Sequence, residues 1–293
     1  MATSDLKLGV VGLGALGRPM AVNLVSAGFK VRLHNRSRTA EGGDDLENAQ
    51  RCASPAEVAE GVDVLLLCVS DDAAVEAVLF GADGASNRLR PGSVVLDCST
   101  ISPTQAIHCA ERLSHQEVGY LDAPVTGGTE GAKAGSLTVL VGGDAAALQR
   151  VQPVLEVIGG TVHHFGAVGR GQQVKAVNQV LVAGSYAAVA EAMALGQRLQ
   201  LPMQQVVEAL KGGAAGSWAL NHRAQGMLDG NYPLGFKLAL HHKDLGIALE
   251  SAENVQLELP ISRLVQQQEA ELMNRGYGDE DVSALHRQFN TVQ

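Results

Sequence analysis

One short segment near the N-terminus constrains the fold more than any other feature, and it reads Gly12-Leu13-Gly14-Ala15-Leu16-Gly17. An apolar run, Leu8 to Val11, precedes this G-x-G-x-x-G motif, and a helical pattern begins near Arg18. In this setting the first glycine permits a tight turn, the second lets a pyrophosphate approach the backbone, and the third allows the helix to pack closely on the strand. The segment therefore predicts a Rossmann domain that binds a dinucleotide through these six residues.

Strand-like and helical patterns alternate through the rest of the first half. Serine-proline pairs that are typical of helix starts, Ser54-Pro55 and Ser102-Pro103, separate the apolar runs. This alternation predicts an α/β protein with a doubly wound, mainly parallel sheet. The expected strands are Leu8 to Val11, Val31 to His34, Val62 to Val69 and Ser93 to Asp97, extended by Gly119 to Ala123, Leu137 to Val141 and Thr161 to His164.

The second half reads differently, because strand patterns vanish from Gly171 onward and only helical patterns remain. We predict a dinucleotide-binding Rossmann domain over residues 1–167 and an all-α substrate and dimerisation domain over residues 168–293. The second domain begins with a long helix, about Gly171 to Leu199, that is apolar on nearly every face. We expect this helix to be packed on all sides, in part by a second subunit of a homodimer or homotetramer.

Composition narrows the class of partner. The formal net charge is -9, and the basic residues are scattered, so neither nucleic acid nor an anionic membrane is an expected partner. The chain shows no signal-peptide pattern at Met1 to Leu6, and its apolar stretches look interrupted before the roughly 18 residues that span a bilayer. With four cysteines that lack C-x-x-C spacing, these features predict a cytoplasmic protein.

Motifs of other enzyme classes are missing from the sequence. The nine histidines show no H-x-x-x-H or Cys/His ligand spacing, so we predict no metal site. There is no G-x-S-x-G elbow of a serine hydrolase and no G-x-x-x-x-G-K phosphate loop. Hydrolases and nucleoside triphosphatases are therefore poor fits.

The end of the second strand bears on cofactor choice. An NAD enzyme usually places an acidic residue there, about 18 residues beyond Gly17, to bind the ribose 2′-hydroxyl. Here the segment is Leu33-His34-Asn35-Arg36-Ser37, in which Arg36 could pair with a 2′-phosphate while Asn35 and Ser37 donate hydrogen bonds. We predict a preference for NADP(H), with NAD(H) as the alternative; a solvated turn formed by Arg36 and Arg38 is the competing interpretation.

Three polar residues share one face of the long apolar helix. Lys175, Asn178 and Gln179 stand at i, i+3 and i+4. A buried ammonium without partners is costly, so a binding or catalytic role is favoured over a lysine of the core.

Four sequence blocks together resemble the β-hydroxyacid dehydrogenase family, and the resemblance runs from Leu8 to about His286. Besides the glycine motif, the blocks are Asp122-Ala123-Pro124-Val125-Thr126-Gly127-Gly128, Gly169-Arg170-Gly171-Gln172-Gln173-Val174-Lys175-Ala176-Val177-Asn178-Gln179, and His242-Lys243-Asp244-Leu245.

The resemblance implies roles for the substrate side of the site. Lys175 is expected to be the general acid that protonates the substrate carbonyl, and Asn178 to orient the lysine or the substrate. A carboxylate cradle is expected at Thr126, Gly127 and Gly128. The family usually has two consecutive asparagines, so Gln179 is a departure, expected to contact the substrate through a longer arm.

The resemblance also implies further contacts around the cofactor and substrate. Val69, Ser70 and Thr100 match loops at strand ends that line the dinucleotide, and Lys243 matches a second lysine near the cofactor. Ser217 lies in a glycine-rich loop that resembles the one facing the substrate. Asp244 stays open, either as the partner of a base or as a charge at a helix N-terminus.

The predicted activity is reduction of a small acid that carries an aldehyde or keto group. The Asn-Gln pair and the Gly-Gly-Ala-Ala-Gly-Ser loop resemble the tartronate semialdehyde reductase branch of the family, which slightly favours that substrate. The Asn-Arg-Ser segment is instead similar to that of NADPH-dependent glyoxylate and succinic semialdehyde reductases. A 3-hydroxyisobutyrate dehydrogenase is a further alternative. An imine reductase and a non-enzymatic NADP-binding regulator fit less well, because neither explains why Lys175, the acid cradle and the glycine motif occur together.

Overall fold

The computed structural model describes residues 5–289, and the chain divides into two compact units. The first unit ends at Lys175 and the second begins at Ala176.

A single nine-stranded sheet forms the centre of the first unit. Its strand order is β3-β2-β1-β4-β5-β6-β8-β7, and β9 pairs with β8. Neighbours from β3 to β6 are parallel, whereas β8 runs antiparallel to β6 and β7. The predicted Rossmann sheet is confirmed. The strands are β1 (Lys7–Val11), β2 (Lys30–His34), β3 (Gln50–Arg51), β4 (Val64–Leu67), β5 (Val94–Asp97), β6 (Gly119–Asp122), β7 (Val125–Thr126), β8 (Leu137–Gly143) and β9 (Gly159–His164).

Six helices accompany the sheet, and their buried residues pack with those of the strands in two separate hydrophobic clusters. One cluster contains buried residues of α1, α5 and α6, and the other contains buried residues of α2, α3 and α4. The serines expected to cap helices do so: Ser54 Oγ accepts from Glu57 N at 3.2 Å, and Ser102 Oγ accepts from Gln105 N at 3.1 Å. The helices are α1 (Gly17–Ser26), α2 (Pro55–Ala59), α3 (Asp72–Phe80), α4 (Pro103–Ser114), α5 (Gly128–Ala134) and α6 (Ala145–Ile158).

The second unit is helical, as predicted. Within residues 176–289 the only strand-like pairing is an isolated bridge between Lys237 and Asp281. The long helix α7 (Arg170–Arg198) starts in the first unit and continues into the second, where α8 (Met203–Leu210), α9 (Trp218–Asp229), α10 (Leu238–Glu253) and α11 (Pro260–Asn274) follow. A 3₁₀ segment, Val282–Phe289, ends the described chain.

Within this chain one face of α7 is left exposed, and its coverage by a second subunit stays a prediction. Val177, Leu181 and Leu195 are 63%, 69% and 62% exposed. With Gly184, Ala188 and Ala192 they follow a spacing of three and four residues, which places them on one stripe of the helix. The sequence could not show this, because uniform apolarity does not say which face the chain itself covers.

The same helix also corrects the expectation that no apolar segment reaches membrane-spanning length. By length and composition Arg170–Arg198 could cross a membrane, with a mean hydropathy of 1.3 over its most apolar 18-residue window. Of that window, 44% is buried inside the protein, and the core helix of a soluble protein passes the same test.

Candidate active site

The glycine motif contains two positions that exclude any side chain and one that opens to solvent. Gly12 has φ +95°, and a Cβ there would lie 2.2 Å from the Cys68 carbonyl oxygen. At Gly17 a Cβ would lie 2.0 Å from the Gly12 carbonyl oxygen. A Cβ at the exposed Gly14 would meet nothing within 4 Å. The loop is therefore closely packed at Gly12 and Gly17, whereas Gly14 faces open space in which a pyrophosphate could approach the backbone.

The N-terminus of α1 adds an electrostatic reason for phosphate binding. No side chain caps the helix at Leu16, and its first turn holds no acidic residue. The positive end of the helix dipole is therefore not neutralised locally. Asn35 Oδ1 accepts a hydrogen bond from Leu13 N at 2.8 Å, which fixes the glycine loop to the end of β2. These residues fit a phosphate-bearing dinucleotide.

After β2, internal contacts occupy most polar groups but not Arg36. The buried Glu41 accepts from Asn35 N at 2.8 Å and pairs with Arg38 Nη1 at 2.9 Å. Arg38 Nη1 also donates to the Cys52 carbonyl at 2.5 Å, so Arg38 belongs to the structure of the turn. Arg36 is exposed and makes no hydrogen bond or ion pair with any residue from 5 to 289. Sequence reasoning missed Glu41, which lies six residues beyond Asn35.

The loops after β4 and β5 lie at the carboxyl edge of the sheet, where open α/β sheets bind ligands. Val69 N donates to Ser99 Oγ at 2.9 Å, so the two loops are joined directly. Thr100 follows Ser99 and is partly exposed. Ser70 Oγ donates to Asp71 Oδ2 at 2.7 Å beside the start of α3. The three residues predicted to line the dinucleotide thus occupy neighbouring loops.

Lys175 lies in the second turn of α7 and is only 8% exposed. Its Nζ donates to the Val125 carbonyl oxygen at 2.8 Å. Val125 immediately precedes the predicted cradle, in which Gly127 and Gly128 have φ +129° and +64°. Consecutive positive φ values favour glycine, so this backbone shape explains the Gly-Gly pair. The structure therefore brings the predicted general acid next to the predicted carboxylate cradle.

Two buried carboxylates lie at the ends of the neighbouring strands β5 and β6. Asp97 ends β5 and Asp122 ends β6, where the register pairs them. Burial raises the pKa of each carboxyl to about 6, against the opposing effect of the hydrogen bonds that each accepts. Asp97 accepts from Tyr120 Oη at 2.8 Å and Ser99 N at 2.9 Å.

We predict that Asp97→Asn removes part of the pH dependence of stability. A pKa raised from 3.8 to about 6 on folding gives a contribution that is present below about pH 4 and lost as pH rises through about 6. Asparagine keeps the shape of the side chain and has no charge to bury. The free energy of unfolding of the mutant, relative to that of the wild type, should therefore rise by about 2 to 3 kcal/mol from pH 4 to pH 7. Urea unfolding of both proteins at the two pH values measures this, and a difference that is independent of pH would contradict it.

Four polar side chains form a connected chain in the second unit. Asn178 Nδ2 donates to Gln179 Oε1 at 2.7 Å, and Gln179 Nε2 donates to Asp244 Oδ2 at 2.5 Å. Lys243 Nζ lies 2.8 Å from Asp244 Oδ1. Asp244 lies inside α10 rather than in its first turn, so its interpretation as a helix N-terminal charge is wrong. Both amide atoms of Gln179 are engaged, which leaves one Nε2 hydrogen for a substrate.

Ser217, predicted to face the substrate, caps a helix. Its Oγ accepts from Leu220 N at 3.1 Å at the start of α9, and its hydroxyl hydrogen can still donate. Trp218 stacks on His222 with ring centroids 4.4 Å apart. Among residues 5–289 no group of three or more His, Cys, Asp or Glu side chains could hold a metal ion.

Comparison with known proteins identifies the family. A profile described as the NAD binding domain of 6-phosphogluconate dehydrogenase matches residues 7–166, and one described as NAD-binding of NADP-dependent 3-hydroxyisobutyrate dehydrogenase matches residues 169–289. The chain belongs to the β-hydroxyacid dehydrogenase family. It is therefore an NAD(P)-dependent oxidoreductase that uses a nicotinamide cofactor.

Curated members of the β-hydroxyacid dehydrogenase family resemble the chain over nearly its whole length. The 2-hydroxy-3-oxopropionate reductase of Escherichia coli is 36% identical over 96% of each chain. The 2-(hydroxymethyl)glutarate dehydrogenase of Eubacterium barkeri is 34% identical over 96% of this chain and 94% of its own.

Solved structures agree with this assignment. The 3-hydroxyisobutyrate dehydrogenase of Salmonella typhimurium superposes with a TM-score of 0.89 at 33% identity, over 97% of this chain and 100% of that one. An imine reductase from Pseudomonas sp. is only 19% identical, with a TM-score of 0.67 over 97% of this chain and 99% of its own, and shares the fold alone.

Proposed function

We propose that this β-hydroxyacid dehydrogenase reduces a small aldehyde or keto acid with NADP(H), and that tartronate semialdehyde is the favoured substrate. The observation that carries the proposal is the position of the Lys175 ammonium, hydrogen-bonded at Val125 directly beside the Gly127-Gly128 cradle. The 36% identical Escherichia coli relative is named for 2-hydroxy-3-oxopropionate, which is tartronate semialdehyde, and this supports the choice of substrate.

Each residue of the first unit has a chemical task in this proposal. The Thr126 hydroxyl and the backbone N–H groups of Gly127 and Gly128 bind the substrate carboxylate and so fix the reacting carbon. Lys175 donates a proton to the carbonyl oxygen and stabilises the negative charge that develops on it. When bound, the nicotinamide cofactor supplies the hydride. In the oxidative direction Lys175 accepts the hydroxyl proton instead.

Residues of the second unit complete the proposal. Asn178 follows Lys175 by three residues on the same helix and orients the lysine or the substrate. Gln179 and Ser217 are proposed as substrate contacts through the hydrogens that their internal bonds leave over. Lys243 is proposed as a residue that binds the cofactor.

The preference for NADP(H) rests on Arg36. Its exposed guanidinium has no partner among residues 5–289, and it lies beside Asn35, which is already bound to the glycine loop. Such a guanidinium can pair with a 2′-phosphate in the bidentate geometry that arginine favours. The buried carboxylate of Glu41 is already paired with Arg38 and Asn35.

Other small hydroxy and keto acids are expected to be alternative substrates. An L-threonate dehydrogenase from Cupriavidus necator is 36% identical over 98% of this chain and 97% of its own. Differences of a methyl or hydroxyl group are worth about 1 to 3 kcal/mol in a pocket, so overlapping activities are expected. Glyoxylate, succinic semialdehyde and 3-hydroxyisobutyrate are therefore the competing substrates.

Nicotinamide absorbance with a panel of substrates tests the function. NADPH and NADH are each offered with tartronate semialdehyde, glyoxylate, succinic semialdehyde and methylmalonate semialdehyde, and L-threonate and 3-hydroxyisobutyrate are offered with the oxidised cofactors. We expect the highest kcat/KM with tartronate semialdehyde and NADPH. Turnover of none of these acids, together with reduction of a cyclic imine, would replace the proposal by imine reduction.

We also propose that the exposed stripe of α7 is covered by a second copy of the chain, in a homodimer or homotetramer. Leu181→Glu should lower the molar mass measured by light scattering, because a carboxylate cannot be buried unpaired in an apolar interface. Phe165→Glu, at a 41% exposed apolar residue outside the helix, is the control and should leave the mass unchanged. A wild-type monomer at micromolar concentration would contradict the proposal.

A cytoplasmic location stays a prediction.

A further inference from the structure

A distant carboxylate caps the first turn of α7. Asp122 Oδ1 accepts from Gly169 N at 2.8 Å, and Oδ2 accepts from Gln172 N at 2.9 Å. The first N–H groups of a helix have no partner inside the helix, and a negative charge is favoured there by the helix dipole. Asp122 is fully buried at the end of β6. These two hydrogen bonds join the N-terminus of the helix that carries Lys175 to the end of β6.

Gln172 makes a second connection, to the loop after β5. Its Nε2 donates to the Ser99 carbonyl at 2.8 Å, and its Oε1 accepts from Ile101 N at 3.2 Å. Gln172 is 1% exposed, and both polar atoms of its buried amide thus have hydrogen-bond partners in the protein. Ser99 Oγ in turn accepts from Val69 N. One glutamine therefore holds the segment that contains Thr100 and, through Ser99, the loop after β4.

The spacing along α7 links this connection to catalysis. Gln172 precedes Lys175 by three residues, which is about one helical turn. We propose that Gln172 is a positioning residue that holds Lys175 in a fixed place relative to the loops after β4 and β5. This inference rests on the proposed function, in which Lys175 is the general acid and those loops line the cofactor.

Packing alone does not explain a glutamine at this position. A buried amide must recover its lost hydration through hydrogen bonds, whereas methionine, of nearly equal length, would fill the same space without that cost. What the amide adds is direction, because it makes two bonds to two backbone groups of a single loop. A displacement of about 1 Å at a reacting group can cost on the order of 100-fold in rate.

The first test compares Gln172→Met with Gln173→Met, at its exposed neighbour, whose side chain accepts a hydrogen bond from Arg170. We expect Gln172→Met to lower kcat about tenfold while KM for NADPH and for substrate stays within about twofold. The kinetic isotope effect with NADPH deuterated at the transferred position should rise, because hydride transfer becomes slower than the other steps. Gln173→Met should match the wild type in all of these measurements.

A second test does not depend on activity. In the cofactor-free protein, amide hydrogen exchange at residues 99–101 and 169–175 should be faster in Gln172→Met than in Gln173→Met. Gln172→Asn, which keeps an amide on a shorter arm, should recover part of both kcat and protection, and it replaces the methionine variant if that protein does not fold.

Two results would overturn the inference: a kcat of Gln172→Met within twofold of the wild type, or unchanged exchange in both segments. Lys175→Met is measured in parallel. If it keeps full activity, the proposed function itself fails. If it is inactive while Gln172→Met is normal, only the positioning role fails.

Discussion

Lys175→Met is expected to lower kcat about 10³-fold while NADPH binding stays within about twofold. The substitution removes the ammonium that protonates the carbonyl oxygen and stabilises the developing charge, and general acid catalysis is worth about 10² to 10⁴ in rate. Methionine fills similar space, so the buried site loses the hydrogen bond to the Val125 carbonyl rather than its packing. Single-turnover absorbance and NADPH fluorescence titration measure the two quantities.

Lys133→Met is the matched control, because Lys133 is exposed in α5 of the same unit. It should retain the wild-type kcat. A Lys175→Met enzyme with more than a tenth of the wild-type kcat would show that another group supplies the proton, and the catalytic assignment would be abandoned.

Arg36→Ala is expected to lower kcat/KM for NADPH by up to about 100-fold and to change kcat/KM for NADH by less than about threefold. Hydrogen bonds to charged groups contribute about 1.5 to 3 kcal/mol, and only NADPH carries the 2′-phosphate that would receive them. Because the guanidinium is exposed, the effect should shrink at high salt. Initial rates at varied concentrations of each cofactor, in low and high salt, measure both expectations.

Arg38→Ala separates cofactor recognition from the structure of the turn. Arg38 pairs with the buried Glu41 and donates to the Cys52 carbonyl, so its loss should lower the melting temperature and affect both cofactors alike. If Arg36→Ala also weakened both cofactors equally, the preference for NADP(H) would have to be assigned to other residues.

Local patterns were sufficient for the parts of this protein that lie close together in the chain. The glycine motif, its strand and its helix occupy consecutive residues, so the sequence alone predicts the turn. Lys175 stood out for a similar reason, since helical spacing places it with Asn178 and Gln179 on one face of an apolar helix. Cofactor class and family follow from these local features.

Contacts between distant residues were decided by the tertiary structure. Asp122 accepts a hydrogen bond from Gly169 N, 47 residues further along the chain, and Gln179 binds Asp244 across 65 residues. A sequence pattern shows that such groups must find partners, but not which partners, because that depends on which strand ends and helices the fold brings together. The exposed stripe of α7 has the same origin. Sequence determined that the helix is apolar, and only the packing of the chain decided which face it leaves uncovered.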